Sequence, residues 1–96
     1  MSLNVSLNSA TIRVFEQDSE SRQRFLLTRN DEKYHGRLIP IDQIPLNELV
    51  VIRNQEHGWT GCITSLTDTT AEFHHDETCK QFSIDLNKFD VLRLEF

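Results

Sequence analysis

The stretch that decides the fold is "TRNDEKYHGRLIPID", residues 28–42, together with its echo "IRNQEHGWTGCITSLTD", residues 52–68. Both run Arg-Asn, an acid or amide, Glu, a basic residue or His, an aromatic, and then x-Gly-x ahead of an apolar strand. A turn at "NDEK" sets Arg29 opposite Tyr34, Leu27 opposite Gly36 and Phe25 opposite Leu38. Phe25, Leu27, Tyr34 and Leu38 then share a core face, because residues two apart in a strand point the same way. Arg22, Arg24 and Arg37 take the other face with Leu26 and Ile39. Gly36 and Gly61 sit where the backbone bends or bulges. The repeat therefore reads as a hairpin built twice, and two copies are too few for a solenoid.

Outward from this pair, alternation with period two continues. Strands are expected near 11–16, 22–29, 33–41, 48–53, 58–66, 70–75, 79–86 and 90–96, rich in β-branched and aromatic residues and separated by polar clusters such as "QDSES", "TDT" and "HDET". No stretch holds a helical period, although "DQIPLNEL" allows a single turn, with Pro45 suited to its start. The fold expected is all-β: a small antiparallel meander curled into a bent barrel or compact sandwich. Residues 11–96 read as one β domain, and residues 1–10 as a disordered or loosely attached segment.

Ninety-six residues with 38% apolar and 26% charged side chains suit one modest core. An enclosing active-site cleft would consume much of it, which favours a non-enzymatic binding module. No run approaches the ~20 apolar residues of a membrane span. "MSLNVSLNSA" has neither the basic nor the apolar region of an export signal, so a cytoplasmic protein with Cys62 and Cys79 as free thiols is expected. The net charge is −5, and it is uneven. Residues 1–53 hold seven basic and seven acidic side chains, whereas 54–96 hold three and eight. The second half would repel a phosphate backbone and favour a basic partner.

Four constellations carry chemistry. "EHGWTGC" and "FHHDETC" set His57 five residues ahead of Cys62 and His75 four ahead of Cys79, four side chains of the type that ligate zinc. The register speaks against a shared ion: Cys62 falls opposite His75 on one face and Cys79 opposite His74 on the other, so no metal or other cofactor is expected. Cys79 beside His74, with Asp76 or Glu77 behind, has the spacing of an activated thiolate but no oxyanion donors. Trp59, Ile63 and His74 point away from the core together, an aromatic among apolar neighbours, and mark a partner-binding face unless another segment covers them. Arg22, Arg24 and Arg37 form a basic face that either holds phosphates or solubilises an edge.

"EKYHGRLIPIDQIPLNELVV", residues 32–51, resembles the first motif of Sm and Sm-like proteins through Tyr34, Gly36, Leu38, Asp42, Asn47, Leu49 and Val50. The resemblance implies a strongly bent barrel that assembles into rings and holds RNA bases in the loop of Asp42 and Asn47. The chain departs from that family in an extra residue and Pro45 between Asp42 and Asn47, in Arg93 lacking a following glycine, and in its number of strands. The expected function is a protein-interaction or regulatory module whose partner is another protein or a second copy. Sm-like RNA binding through Arg22, Arg24, Arg37, Asp42 and Asn47 is the alternative, disfavoured by the acidic C-terminal half. A metal or thiol site at the His/Cys hairpins comes third.

Overall fold

The structure is a computed structural model that describes residues 12–16, 23–29, 31–55 and 57–95. It consists of strands β1 (Ile12–Glu16), β2 (Arg24–Arg29), β3 (Glu32–Leu38), β4 (Leu49–Asn54), β5 (His57–Leu66), β6 (Thr70–His75), β7 (Gln81–Asp85) and β8 (Asp90–Glu95), with one 3-10 turn at Ile41–Gln43. Each strand falls on an expected run. Residues 1–10 and Arg22 lie outside the described residues. No helix among the described residues is long and apolar enough to cross a membrane.

The strands order as β1-β2-β3-β8-β4-β5-β6-β7, and β1 pairs back onto β5. Six strands, β1-β2-β3-β8-β4-β5, thus close an antiparallel barrel, while β6 and β7 extend from it as a flap. The junction is β5, ten residues long. Its start pairs with β1, Ile12 opposite Gly58 and Arg13 opposite His57, and its remainder pairs with β6 from Gly61 to Leu66. β8 returns along the chain to fill the gap between β3 and β4.

Two cores result, one on each side of the β8-β4-β5 wall. Inside the barrel are Ile12, Val14, Phe25, Leu27, Val51 and Leu92, with Tyr34, Leu38 and Leu94 at their margin. Outside the wall, beneath the flap, lie Val50, Ile52, Trp59, Ile63, Phe73, Phe82 and Ile84 with Ile39 and Ile44. β4 therefore buries Val50, Val51 and Ile52 in succession. A strand apolar on both faces loses its alternation, as the run "LVVI" does.

The β2–β3 hairpin is tighter than the sequence reading. Arg29 pairs with Glu32, Leu27 with Tyr34 and Phe25 with Gly36. A slip of two keeps every side chain on its expected face, so Phe25, Leu27, Tyr34 and Leu38 do pack together. Ile39, expected among the outward arginines, is instead buried in the second core. The expected turn in "DQIPLNEL" forms earlier, at Ile41–Gln43 behind Pro40. The glycines permit close approach, and none has a positive φ. A Cβ on Gly61 would lie 2.0 Å from the His74 carbonyl oxygen. The bulge falls between Ile63 and Ser65 rather than at Gly61.

Candidate interaction surface

The Trp59 face is a correction to the sequence reading. Trp59 is 5% exposed and Ile63 is fully buried, so neither reaches a partner. They do point away from the barrel interior, but that side is the second core, roofed by the flap and the β3–β4 connection. Trp59 packs against Phe89 at 6.1 Å between ring centroids. The bulge before Ser65 completes the change. Leu66 pairs with Ala71 as expected, but beyond the bulge Ile63 faces Phe73 and Cys62 faces His74, not His75. His74 is half-buried on the flap's outer surface, away from Trp59 and Ile63.

The expected Cys/His registers also change. Gln81, not Cys79, lies opposite His74. Cys79 is exposed beyond the strand with φ 57°, its N–H donating to the His75 carbonyl. His75 is buried, and its Nδ1 bonds the Thr78 hydroxyl at 2.9 Å. Among the described residues no three His, Cys, Asp or Glu side chains gather as a metal site would require. Arg24 and Arg37 are exposed and directly opposite each other. Both lean on one carboxylate, that of Glu95, at 3.7 and 3.6 Å, and their charge is partly answered in place.

The surface that remains is the connection from β3 to β4. Among the described residues the exposed large apolar side chains are Phe15 at 39%, Ile41 at 47%, Leu46 at 48% and Leu49 at 53%. All but Phe15 fall between residues 41 and 49. The loop is held at both ends: Ile39 N–H donates to the Val91 carbonyl (2.9 Å), and Asn47 N–H to the Ile63 carbonyl (2.8 Å). Ile39 and Ile44 anchor it in the second core, and Pro40 and Pro45 stiffen it. Asp42 and Asn47 are both exposed here, Asn47 with φ 61°.

Hollows flank Ile41 on both sides. One, about 230 Å³, has an apolar floor of Leu38, Ile39, Ile44, Leu86 and Phe89. The other, about 540 Å³ and open, lies between Ile41, Asp42, Leu66 and Asp68. Residues 38–52 hold no basic side chain, and Asp42 and Glu48 make the loop acidic. The available signal for this surface was three apolar residues in a connection punctuated by two prolines. Sequence reasoning spent Ile41 on the strand expected over 33–41, Leu46 on the single turn allowed in "DQIPLNEL", and Leu49 on the Sm-like motif and the strand expected over 48–53.

A further hollow of about 210 Å³ opens at the barrel's end among Leu27, Tyr34, Leu49 and Leu94, beside Arg29, Thr60 and Asp76. Its polar groups already serve one another or their neighbours. Arg29 pairs with Glu77, the Thr60 hydroxyl donates to Asp76 at 2.6 Å, and the Tyr34 hydroxyl donates to Glu32. That last bond, with some burial and the charge of Glu32, raises the Tyr34 pKa above its ordinary value, and Arg29 opposes the rise.

The chain defines a small all-β barrel with a two-stranded flap. Comparison with protein-family models, with curated proteins and with solved structures yields no match.

Proposed function

We propose that this domain is a non-enzymatic protein-interaction module whose working surface is the 39–49 loop. Its partner is an apolar segment flanked by basic residues on another protein. The observation that carries this reading is the exposure of Ile41 and Leu46 on a loop clamped at Ile39 and Asn47, with Leu49 exposed at the start of β4 just beyond it. Exposed apolar side chains on a rigid support are the usual make-up of a binding epitope, since little ordering entropy is lost on docking. Asp42 and Asp68 beside Ile41, with Glu48 partly answered by Arg93 at 3.8 Å, favour a cationic rim on the partner. A cytoplasmic setting agrees with the two free cysteines.

Sm-like RNA binding is the second reading, favoured by Asp42 and Asn47 standing exposed on one loop. The acidity of that loop works against a phosphate backbone.

The test is cross-linking in a cell extract followed by mass spectrometry, with wild type beside Ile41→Asp/Leu46→Asp and Arg24→Glu/Arg37→Glu. The loop variant loses the partner while its stability changes by no more than about 0.5 kcal/mol per site, as is usual on a surface. A partner retained by the loop variant and lost from the arginine variant rejects the proposal. If the associated material is nucleic acid, and its binding falls steeply with salt, the Sm-like reading takes its place.

A further inference from the structure

The barrel has no open edge, but its flap has one. β7 pairs with β6 alone, and no described strand covers its other side. The direction of its backbone groups follows from the ladder. His75 N–H donates to the Lys80 carbonyl at 2.8 Å, and Leu86 N–H to the Thr69 carbonyl at 2.9 Å. In an antiparallel pair such bonded positions recur every second residue. Residues 80, 82, 84 and 86 thus turn their peptide groups toward β6, and Gln81, Ser83 and Asp85 turn theirs outward. The Asp85 carbonyl is taken up by the N–H groups of Lys88 and Phe89 at 2.9 and 3.1 Å. The edge therefore offers the N–H and C=O of Gln81 and Ser83, and the N–H of Asp85. Apart from its shortness and the charge of Asp85, it lacks the devices that normally blunt an edge: its register is continuous, and 81–85 holds neither proline nor lysine.

We propose that β7 pairs antiparallel with β7 of a second copy, about a two-fold axis through Ser83. The choice of occupant and register comes from the side chains. With the axis at Ser83, the two Ser83 residues exchange both backbone bonds, and each Asp85 N–H donates to the other copy's Gln81 carbonyl. Gln81, whose Nε2 already donates to the Thr64 hydroxyl of its own copy at 3.2 Å, lies opposite the other copy's Asp85, so an amide with one N–H still to give meets a carboxylate. Asn87 N–H occupies only one oxygen of that carboxylate, at 2.9 Å. On the opposite face Phe82 and Ile84 are already buried in the second core, so the backbone bonds and the Gln81–Asp85 contact carry the pairing. Neighbouring registers fail. An axis at Asp85 sets two carboxylates face to face. An axis at Gln81 places Ser83 against Cys79, whose φ of 57° has left the extended conformation. The contact is isologous, so it closes at two copies. Five residues make a short strand, and the dimer is accordingly weak and concentration-dependent.

The experiment is sedimentation velocity of the full chain from low to high micromolar concentration, with amide hydrogen exchange on the same samples. Wild type passes from monomer to dimer, and the Ser83 amide slows in exchange as it does so. Ser83→Lys, which opposes two cations at the axis while leaving an exposed position exposed, weakens the dimer at least about tenfold, equivalent to ~1.4 kcal/mol. Ile41→Asp leaves the dimer intact, so this proposal and the loop reading fail separately. A chain monomeric throughout, a dimer indifferent to Ser83→Lys, or a dimer whose Ser83 amide exchanges as fast as the monomer's would each overturn the proposal.

Discussion

The β2–β3 and β4–β5 hairpins carry nearly the same string of residues, yet their aromatic side chains end in different surroundings. Tyr34 sits half-buried at the barrel's rim with its hydroxyl on Glu32, whereas Trp59 is enclosed in the second core. The cause is one residue. From Arg29 to Tyr34 the first copy counts five positions; from Arg53 to Trp59 the second counts six, because Gly58 intervenes. Tyr34 consequently pairs with Leu27 inside the barrel, and Trp59 with Ile52 outside it. An odd step along a strand exchanges its faces. The echo preserves the hairpin and discards the address of its side chains.

The glycines give the sharpest way to break this comparison. In Gly61→Ala the new methyl meets the His74 carbonyl oxygen at 2.0 Å and Phe73 Cζ at 2.6 Å. Backbone cannot step aside as a side chain can, and a loss above about 4 kcal/mol is expected, seen as failure to fold or a collapsed denaturation midpoint. The matching Gly36→Ala meets only Leu27 Cδ1 closely, at 2.9 Å, the end of a side chain that can rotate. Its cost stays nearer 1–2 kcal/mol, in the range of modest overpacking. Equal losses from the two variants would mean that the copies are structurally equivalent after all.

Trp59→Ala comes next, with about 3–5 kcal/mol expected in urea denaturation, as for a large aromatic removed from a core. As the only tryptophan, Trp59 also reports on its own burial. Its native emission resists acrylamide quenching and becomes quenchable on unfolding; free quenching in the native state would return Trp59 to the surface.

The smallest effect belongs to Tyr34, the only tyrosine. Its absorbance titration in the folded protein has its midpoint above 10.0, and Glu32→Gln lowers that midpoint because it removes the charged acceptor. The raised folded pKa means that this bond's contribution is intact below pH 10.0 and is lost as pH rises through the folded value. An unshifted wild-type midpoint would show the hydroxyl to be free of Glu32.

Strand existence was legible because alternation and turn residues are local signals. So was the face shared by Phe25 and Leu27, since an error of two in register leaves faces unchanged. The second core was not legible. Trp59 and Ile63 look like an exposed pair until β8 inserts beside β4 and the flap folds over the wall, and both are long-range events. The bulge between Ile63 and Ser65 left no local mark either, and it alone moves Cys62 from His75 to His74. Asp42 and Asn47 were read as a loop and do stand in one. Of the apolar residues beside them, Ile41 falls in the alternating run expected as a strand over 33–41 and Leu46 in a segment with no sustained period, so neither marks a surface.

The long strand β5 has a consequence for the order of assembly. Its pairings with β4 and β6 join neighbours in sequence, while its pairing with β1 joins Ile12 to Gly58. Contacts between distant residues are reached only after the intervening loop has been closed at an entropic cost. The β4–β7 segment therefore condenses first, and the long-range seams of β1 with β5 and of β3 with β8 follow it. In folding kinetics Ile12→Val then speeds unfolding and leaves the folding rate almost untouched, whereas Ile52→Val slows folding. The reverse pattern would place the β1–β5 seam at the start of folding.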